Sequence, residues 1–119
     1  MVYFKALKRR PKIGIAMDIQ KEIDNISSQI VAKYKPEKVI LFGSAALGKA
    51  THESDLDFLI IKKDTPLFDE DRFRELSALI DRRVPVDFVI YRPDEFEERL
   101  RMGDPFLKAI LKEGKVLHG

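Results

Sequence analysis

Two short apolar runs joined by a polar stretch limit the folds that this chain can adopt more than any other feature of its sequence. The first, Val-Ile-Leu-Phe at 39–42, stops at Gly43 and Ser44, and the second, Phe-Leu-Ile-Ile, occupies 58–61. Runs of this length and composition are typical of buried strands. Glycine and serine after a strand indicate a turn into a helix, whose exposed amides can bind a phosphate. We therefore predict two strands and an anion-binding turn, with Ser44 as the cap of a short helix over 45–49.

An aspartate pair stands where the second run begins. Asp55 and Asp57 are two residues apart, and alternate residues of a strand point to the same face, roughly 6.6 Å apart along it. Two carboxylates at this separation repel each other unless a cation lies between them. Hard oxygen ligands on a strand suit Mg²⁺, so the pair predicts a metal site.

A third carboxylate, Asp87, is the one charge in the apolar run Val-Pro-Val-Asp-Phe-Val-Ile at 84–90. An unpaired charge in a buried strand is costly, so this residue needs a partner or a function. If its strand lies beside that of Asp55 and Asp57, three carboxylates converge at one end of the sheet. Such a cluster is typical of a site for two divalent ions and a nucleoside triphosphate.

Helical and strand patterns alternate along the rest of the chain. The helix after the N-cap Asp18 should end at Lys35, because Pro36 disfavours helical backbone in the residue before it. The other predicted helices are 69–83, one starting at Pro93, and 105–113, and the other predicted strands are 2–4, 86–91 and 115–117. This order predicts an α/β (α+β) fold in which helices pack on a small β-sheet, and it leaves the order of the strands open.

Length and composition indicate one domain, with a basic N-terminal arm at 1–17 and the folded domain at 18–119. Five of the first twelve residues are Lys or Arg, a pattern typical of an arm for nucleic acid or an acidic partner, or of a solvated terminus. We favour the solvated terminus and predict no direct nucleic-acid binding. The chain has no cysteine, which excludes disulfides and thiolate metal sites. No apolar run approaches the length of a membrane span or signal peptide, so we expect a cytoplasmic protein.

The spacing of the polar residues resembles the signature of the DNA polymerase β superfamily of nucleotidyltransferases. Its elements here are Gly43-Ser44, ten residues, Asp55-Leu56-Asp57, and Asp87 in a later apolar strand. The short chain is most similar to the minimal nucleotidyltransferases, which are antitoxin partners of HEPN-domain toxins, and the similarity covers roughly residue 19 to the C-terminus. Many members carry an arginine shortly after Gly-Ser, whereas this chain has Ala45-Ala46-Leu47.

The resemblance implies a mixed sheet and Mg²⁺-dependent transfer of AMP from ATP to a hydroxyl, with two metal ions. It implies that Asp55, Asp57 and Asp87 are the catalytic metal ligands and that Gly43 and Ser44 hold the β- and γ-phosphates. The implied acceptor is a tyrosine of a HEPN-type toxin. Because no second domain is evident, we expect a partner or a second copy, in a hetero- or homo-oligomer, to complete the site.

Two other functions stay open. The chain could neutralise its partner by docking without catalysis, which the missing arginine favours and the three retained aspartates oppose. It could also modify a small molecule at the same site, although such enzymes generally use a longer chain to enclose their acceptor.

Overall fold

A mixed β-sheet forms the centre of the computed structural model, which describes residues 4–5, 18–51 and 53–119. The strands are β1 (Phe4–Lys5), β2 (Lys38–Phe42), β3 (Leu56–Ile61), β4 (Val86–Tyr91) and β5 (Lys115–His118). They lie in the order β1-β4-β3-β2-β5, with β3 and β4 parallel and the other neighbours antiparallel. The predicted α+β fold with a small mixed sheet is confirmed, and β3 is its middle strand.

Five α-helices accompany the sheet in the described residues. They are α1 (Ile19–Gln29), α2 (Gly43–Ala46), α3 (Asp69–Leu79), α4 (Pro93–Arg101) and α5 (Pro105–Glu113). The predicted cap of the first helix is confirmed, because the Asp18 carboxylate accepts a hydrogen bond from the Lys21 amide at 3.1 Å. Asp104 caps α5 in the same way, accepting from the Phe106 amide at 2.9 Å.

Helices cover both faces of the sheet. One face carries alternate strand residues such as Leu41, Phe58 and Phe88, and packs against α1, α2 and α3 in the larger apolar cluster. The opposite face carries the intervening residues and packs against Leu107 and Ile110 of α5 in the smaller cluster. The period of two along β2, β3 and β4 thus assigns the apolar residues of these strands alternately to the two clusters.

The first predicted helix ends where expected, because Lys35 is its C-cap, but its type changes along the way: it is α-helical to Gln29 and continues as a π-helical turn, Ile30–Tyr34. This turn carries the Tyr34 hydroxyl to 2.8 Å from that of Thr65. The predicted helix over 69–83 is wrong beyond Leu79, where Ile80 has extended backbone.

Side chains of α1 hold the residues that follow α3. Gln29 donates to the carbonyl of Asp81 at 2.7 Å and accepts from its amide at 2.7 Å. The buried Glu22 carboxylate accepts from the Arg83 amide at 2.5 Å. These long-range bonds replace the last helical turn that the sequence pattern suggests.

A buried arginine ties α3 to the strand and helix that follow it. Arg72 is 2% exposed, and its guanidinium donates to both carboxylate oxygens of Glu95, at 2.6 and 3.0 Å. It also donates to the carbonyls of Pro66, Leu67 and Ile90. One side chain therefore fastens the loop before α3, the end of β4 and the first turn of α4.

The predicted strand at 2–4 is confirmed for Phe4, which with Lys5 pairs with β4 at the edge of the sheet. Residues 1–3 and 6–17, and with them most of the predicted basic arm, lie outside the described residues. Within the described ranges, no helix is long and apolar enough to cross a membrane.

Candidate active site

The registers of three strands place two of the predicted aspartates in one row across the sheet. Asp57 of β3 is the direct partner of Asp87 in the parallel pair, and of Phe42 in the antiparallel pair. Paired residues of neighbouring strands point to the same face, and neighbouring strands lie about 4.8 Å apart. We call Phe42, Asp57 and Asp87 the carboxylate row. It lies on the face that carries α5, where β2 ends and β3 and β4 begin.

The two carboxylates of the row differ in exposure. Asp87 is 3% exposed, although it lies close to the start of its strand, whereas Asp57 is partly exposed. The first is therefore largely removed from water and the second can be reached by a ligand.

Asp55 stands at the entrance to β3, one residue before it begins. The preceding turn is fixed by reciprocal hydrogen bonds, from the Thr51 amide to the Ser54 hydroxyl and from the Ser54 amide to the Thr51 carbonyl, both 2.9 Å. The Leu56 amide then donates to the carbonyl of Pro85 at 2.9 Å. Asp55 thus lies at the same end of the sheet as the row, two residues from Asp57.

Gly43 brings backbone against the row. Its φ of +72° lies in the left-handed region, which residues with a Cβ disfavour. A Cβ added at Gly43 would lie 2.2 Å from Oδ2 of Asp57. The absence of a side chain is therefore required twice, by the turn itself and by the Asp57 carboxylate.

The helix after Gly43 differs from the prediction. It spans Gly43–Ala46 instead of 45–49, and its N-cap is Phe42, which has no side-chain capping bond. Ser44 is therefore not the cap, because the glycine already lies in the first helical turn. Ala45 and Ala46 are buried in the larger cluster, and Leu47, which follows them, is 48% exposed.

The row offers the donor type that Mg²⁺ prefers, since carboxylates are hard oxygen ligands. Asp57 and Asp87 meet across the strand pair, so their chemistry and register fit a divalent ion. Within the described residues, however, no three acidic or histidine side chains form a group that could hold a metal. The structure gives a carboxylate pair with Asp55 beside it, and the three-carboxylate metal centre stays a prediction.

Sequence reasoning did not predict the aromatic border of the row. The Phe42 ring meets Phe106 of α5 edge to face, with ring centroids 5.6 Å apart. Phe106 is only partly buried. Its place directly after Asp104-Pro105, in the first turn of α5, is the one sequence signal that it lies at a helix end.

Comparisons with known proteins agree on one family. The family model described as "Nucleotidyltransferase domain" matches residues 23–118. A protein of Methanocaldococcus jannaschii named "Putative protein adenylyltransferase" is 30% identical over 106 residues, which cover 86% of this chain and 100% of that protein.

A solved structure is also similar. It is a crystal structure titled as a putative nucleotidyltransferase from Sulfolobus solfataricus, with 24% identity and a TM-score of 0.49. The similarity covers 72% of this chain and 84% of that one.

Proposed function

This chain belongs to the nucleotidyltransferase domain family, and we propose that it transfers AMP from ATP to a hydroxyl group of a partner protein. The observation that carries the proposal is the carboxylate row, with Asp57 and Asp87 in direct register and the obligate Gly43 against Asp57. Nucleotidyl transfer needs carboxylates that hold divalent cations and a backbone surface that admits a phosphate chain.

In the proposed reaction, the backbone at Gly43 and Ser44 holds the β- and γ-phosphates. The acceptor oxygen forms a bond to the α-phosphorus, and the bond between the α-phosphorus and the bridging oxygen breaks, so that pyrophosphate leaves. Asp87 receives the acceptor's proton and passes it to solvent. Asp57 and Asp55 would hold divalent ions, which would supply the positive charge that orients the triphosphate.

Magnesium, held by Asp55, Asp57 and Asp87, would neutralise the phosphate charge that accumulates during transfer. The register of Asp87 with Asp57 favours such a cation, because two neighbouring carboxylates repel each other unless a positive charge lies between them.

A protein acceptor is supported by two observations. The relative from Methanocaldococcus jannaschii carries the name of a protein adenylyltransferase. In addition, the row lies at an end of the sheet where Gly43 is exposed, and the described residues contribute no second domain to enclose a small acceptor. We propose a tyrosine of a HEPN-type toxin as the acceptor, so that the chain acts as an antitoxin.

The test uses ATP labelled on either the α- or the γ-phosphate, with Mg²⁺ and a purified HEPN-type toxin as the acceptor. We expect label from the α-phosphate alone to join the toxin, and its mass to rise by one AMP per modified residue. Label from the γ-phosphate would indicate a kinase and contradict the proposal. Toxin that is neutralised without gaining label would instead favour docking without catalysis. Label in a small molecule would favour modification of a small molecule at the same site.

Leu47 allows a prediction of increased activity. It belongs to the stretch Ala45-Ala46-Leu47, shortly after Gly43-Ser44, where the family resemblance leads us to expect an arginine, and its side chain is 48% exposed, so a longer side chain fits without entering the core. We expect Leu47→Arg to raise kcat/KM for ATP roughly fivefold, about 1 kcal/mol for a partly exposed cation beside a phosphate. Initial rates at low ATP concentration measure the effect.

The matched control is Leu67→Arg, which adds the same charge at the opposite end of the sheet, where Leu67 is 65% exposed. An equal gain in both variants would show a general charge effect. No gain at position 47 would show that the phosphates do not lie near α2.

A further inference from the structure

We propose that Phe106 is the residue against which the nucleobase of the bound nucleotide stacks. This inference rests on the proposed function, because it concerns the nucleotide of that reaction. The carboxylates and the Gly-Ser turn would bind only the phosphates and their ions. An aromatic ring that binds the base would allow the site to distinguish a nucleotide from a bare triphosphate.

The argument begins with how α5 covers the sheet. On each of the three strands, the residue two positions from the carboxylate row is buried in the smaller cluster with Leu107 and Ile110 of α5. These residues are Ile40, Leu59 and Val89. The helix therefore covers this face of the sheet up to the boundary with the row, where Phe106 of its first turn contacts Phe42.

Phe106 lies at this boundary. Its ring centroid is 5.6 Å from that of Phe42, and the two rings are nearly perpendicular, at 89°. Phe42 is the cross-strand partner of Asp57, so the two rings lie one strand away from Asp57, a carboxylate that we propose orients the triphosphate. Phe42 is 8% exposed, whereas Phe106 is partly exposed and can offer aromatic surface to a ligand.

The first turn of α5 is well fixed for such a role. The Asp104 carboxylate accepts hydrogen bonds from the amides of Phe106 at 2.9 Å and Leu107 at 3.4 Å, and Pro105 occupies the first helical position. An aromatic ring held in place loses little conformational entropy on binding. Every base has a π-face, so stacking of this kind is tolerant of base identity.

The chain offers a matched control in Phe96. This residue also packs, partly buried, against the smaller cluster, and its ring lies 6.1 Å from that of Tyr91. Tyr91 is the last residue of β4, so Phe96 stands at the opposite end of the sheet from the row. Phe96→Leu and Phe106→Leu remove similar packing, and only the second removes the proposed stacking surface.

The experiment compares the binding of Mg²⁺-ATP and Mg²⁺-tripolyphosphate, which lacks base and ribose, by isothermal titration calorimetry. We expect Phe106→Leu to weaken ATP binding roughly tenfold and to leave tripolyphosphate binding unchanged. Phe96→Leu should leave both ligands unchanged. A melting temperature lowered to a similar extent in the two variants would show that their packing losses are matched.

Phe106→Trp gives a second readout, because the chain has no tryptophan of its own. Its fluorescence should change with Mg²⁺-ATP and not with Mg²⁺-tripolyphosphate, and ATP affinity should equal or exceed that of the parent. If Phe106→Leu weakens both ligands equally, or neither, Phe106 has only a packing role and the inference is wrong, while the proposed function stands. If the parent chain binds neither ligand, both are wrong.

Discussion

Replacing Asp57 by asparagine is expected to lower nucleotidyl transfer by about a thousandfold or more, because bound divalent ions supply several kcal/mol of transition-state stabilisation. The substitution keeps the shape of the side chain beside Gly43 and removes one of two like charges in the carboxylate row. The folded state should therefore be as stable as the parent, or slightly more stable, in the absence of metal. Initial rates with labelled ATP and the melting temperature without metal measure the two effects.

Asp87→Asn should give a similar loss of activity, since it removes the other member of the pair. Asp64→Asn is the control, because Asp64 is an exposed residue in the loop that follows β3, at the far end of the sheet. Activity of Asp57→Asn within tenfold of the parent would show that the chemistry does not depend on this row.

Replacing Arg72 by methionine is expected to lower the free energy of unfolding by about 3–5 kcal/mol, because Glu95, which is 36% exposed, loses its ion-pair partner and three backbone carbonyls lose their donor. Methionine fills much of the volume of arginine but cannot donate to Glu95 or to the carbonyls of Pro66, Leu67 and Ile90. For a chain of this length the melting temperature should fall by roughly 10–20 °C. Chemical denaturation monitored by circular dichroism measures the loss directly.

Arg74→Met is the matched control on the same helix. Arg74 is 75% exposed and forms an ion pair with Asp71, 3.3 Å apart, at the surface. Exposed pairs of this kind contribute at most about 1 kcal/mol. Equal losses in the two variants would contradict the assignment of Arg72 as the link between α3, β4 and α4.

The same ion pair has a signature in pH. The hydrogen bond from Arg72 lowers the pKa of the Glu95 carboxyl below its ordinary value, against the opposing effect of partial burial. The pair therefore adds stability at pH values above the pKa of the unfolded carboxyl, and this contribution is lost as the pH falls through the folded-state pKa. Stability of Arg72→Met should consequently depend less on pH than that of the parent below about pH 4.

Strands and their polar interruptions could be predicted from the sequence because each signal is local. The apolar runs at 39–42 and 58–61 contain no polar residue, and Asp87 is conspicuous because it is the one charge in the apolar run at 84–90. The Asp18 and Asp104 caps are local for the same reason, since each side chain bonds amides two or three residues away.

Features that depend on distant partners could not be predicted. Arg72 looks like any other charge in a helix rich in acids and arginines, and only the path of the chain after β4 brings Glu95 to it. The end of α3 at Leu79 depends on contacts from α1, which no pattern near residue 80 reveals. The order of the strands, and with it the pairing of Asp57 with Asp87, likewise follows from how the whole chain packs.

The parallel pairing of β3 and β4 also bears on how the protein acquires its activity. The β2–β3 antiparallel pair is joined by a short connection, whereas β3 reaches β4 only through a crossover that contains α3. Closing that larger loop costs more chain entropy, so parallel pairing is an intrinsically slow step in folding. Asp57 and Asp87 lie on opposite sides of this crossover. The chain therefore holds no complete carboxylate row until this crossover pairing has formed, and an intermediate with only the β2–β3 pair would be without catalytic activity.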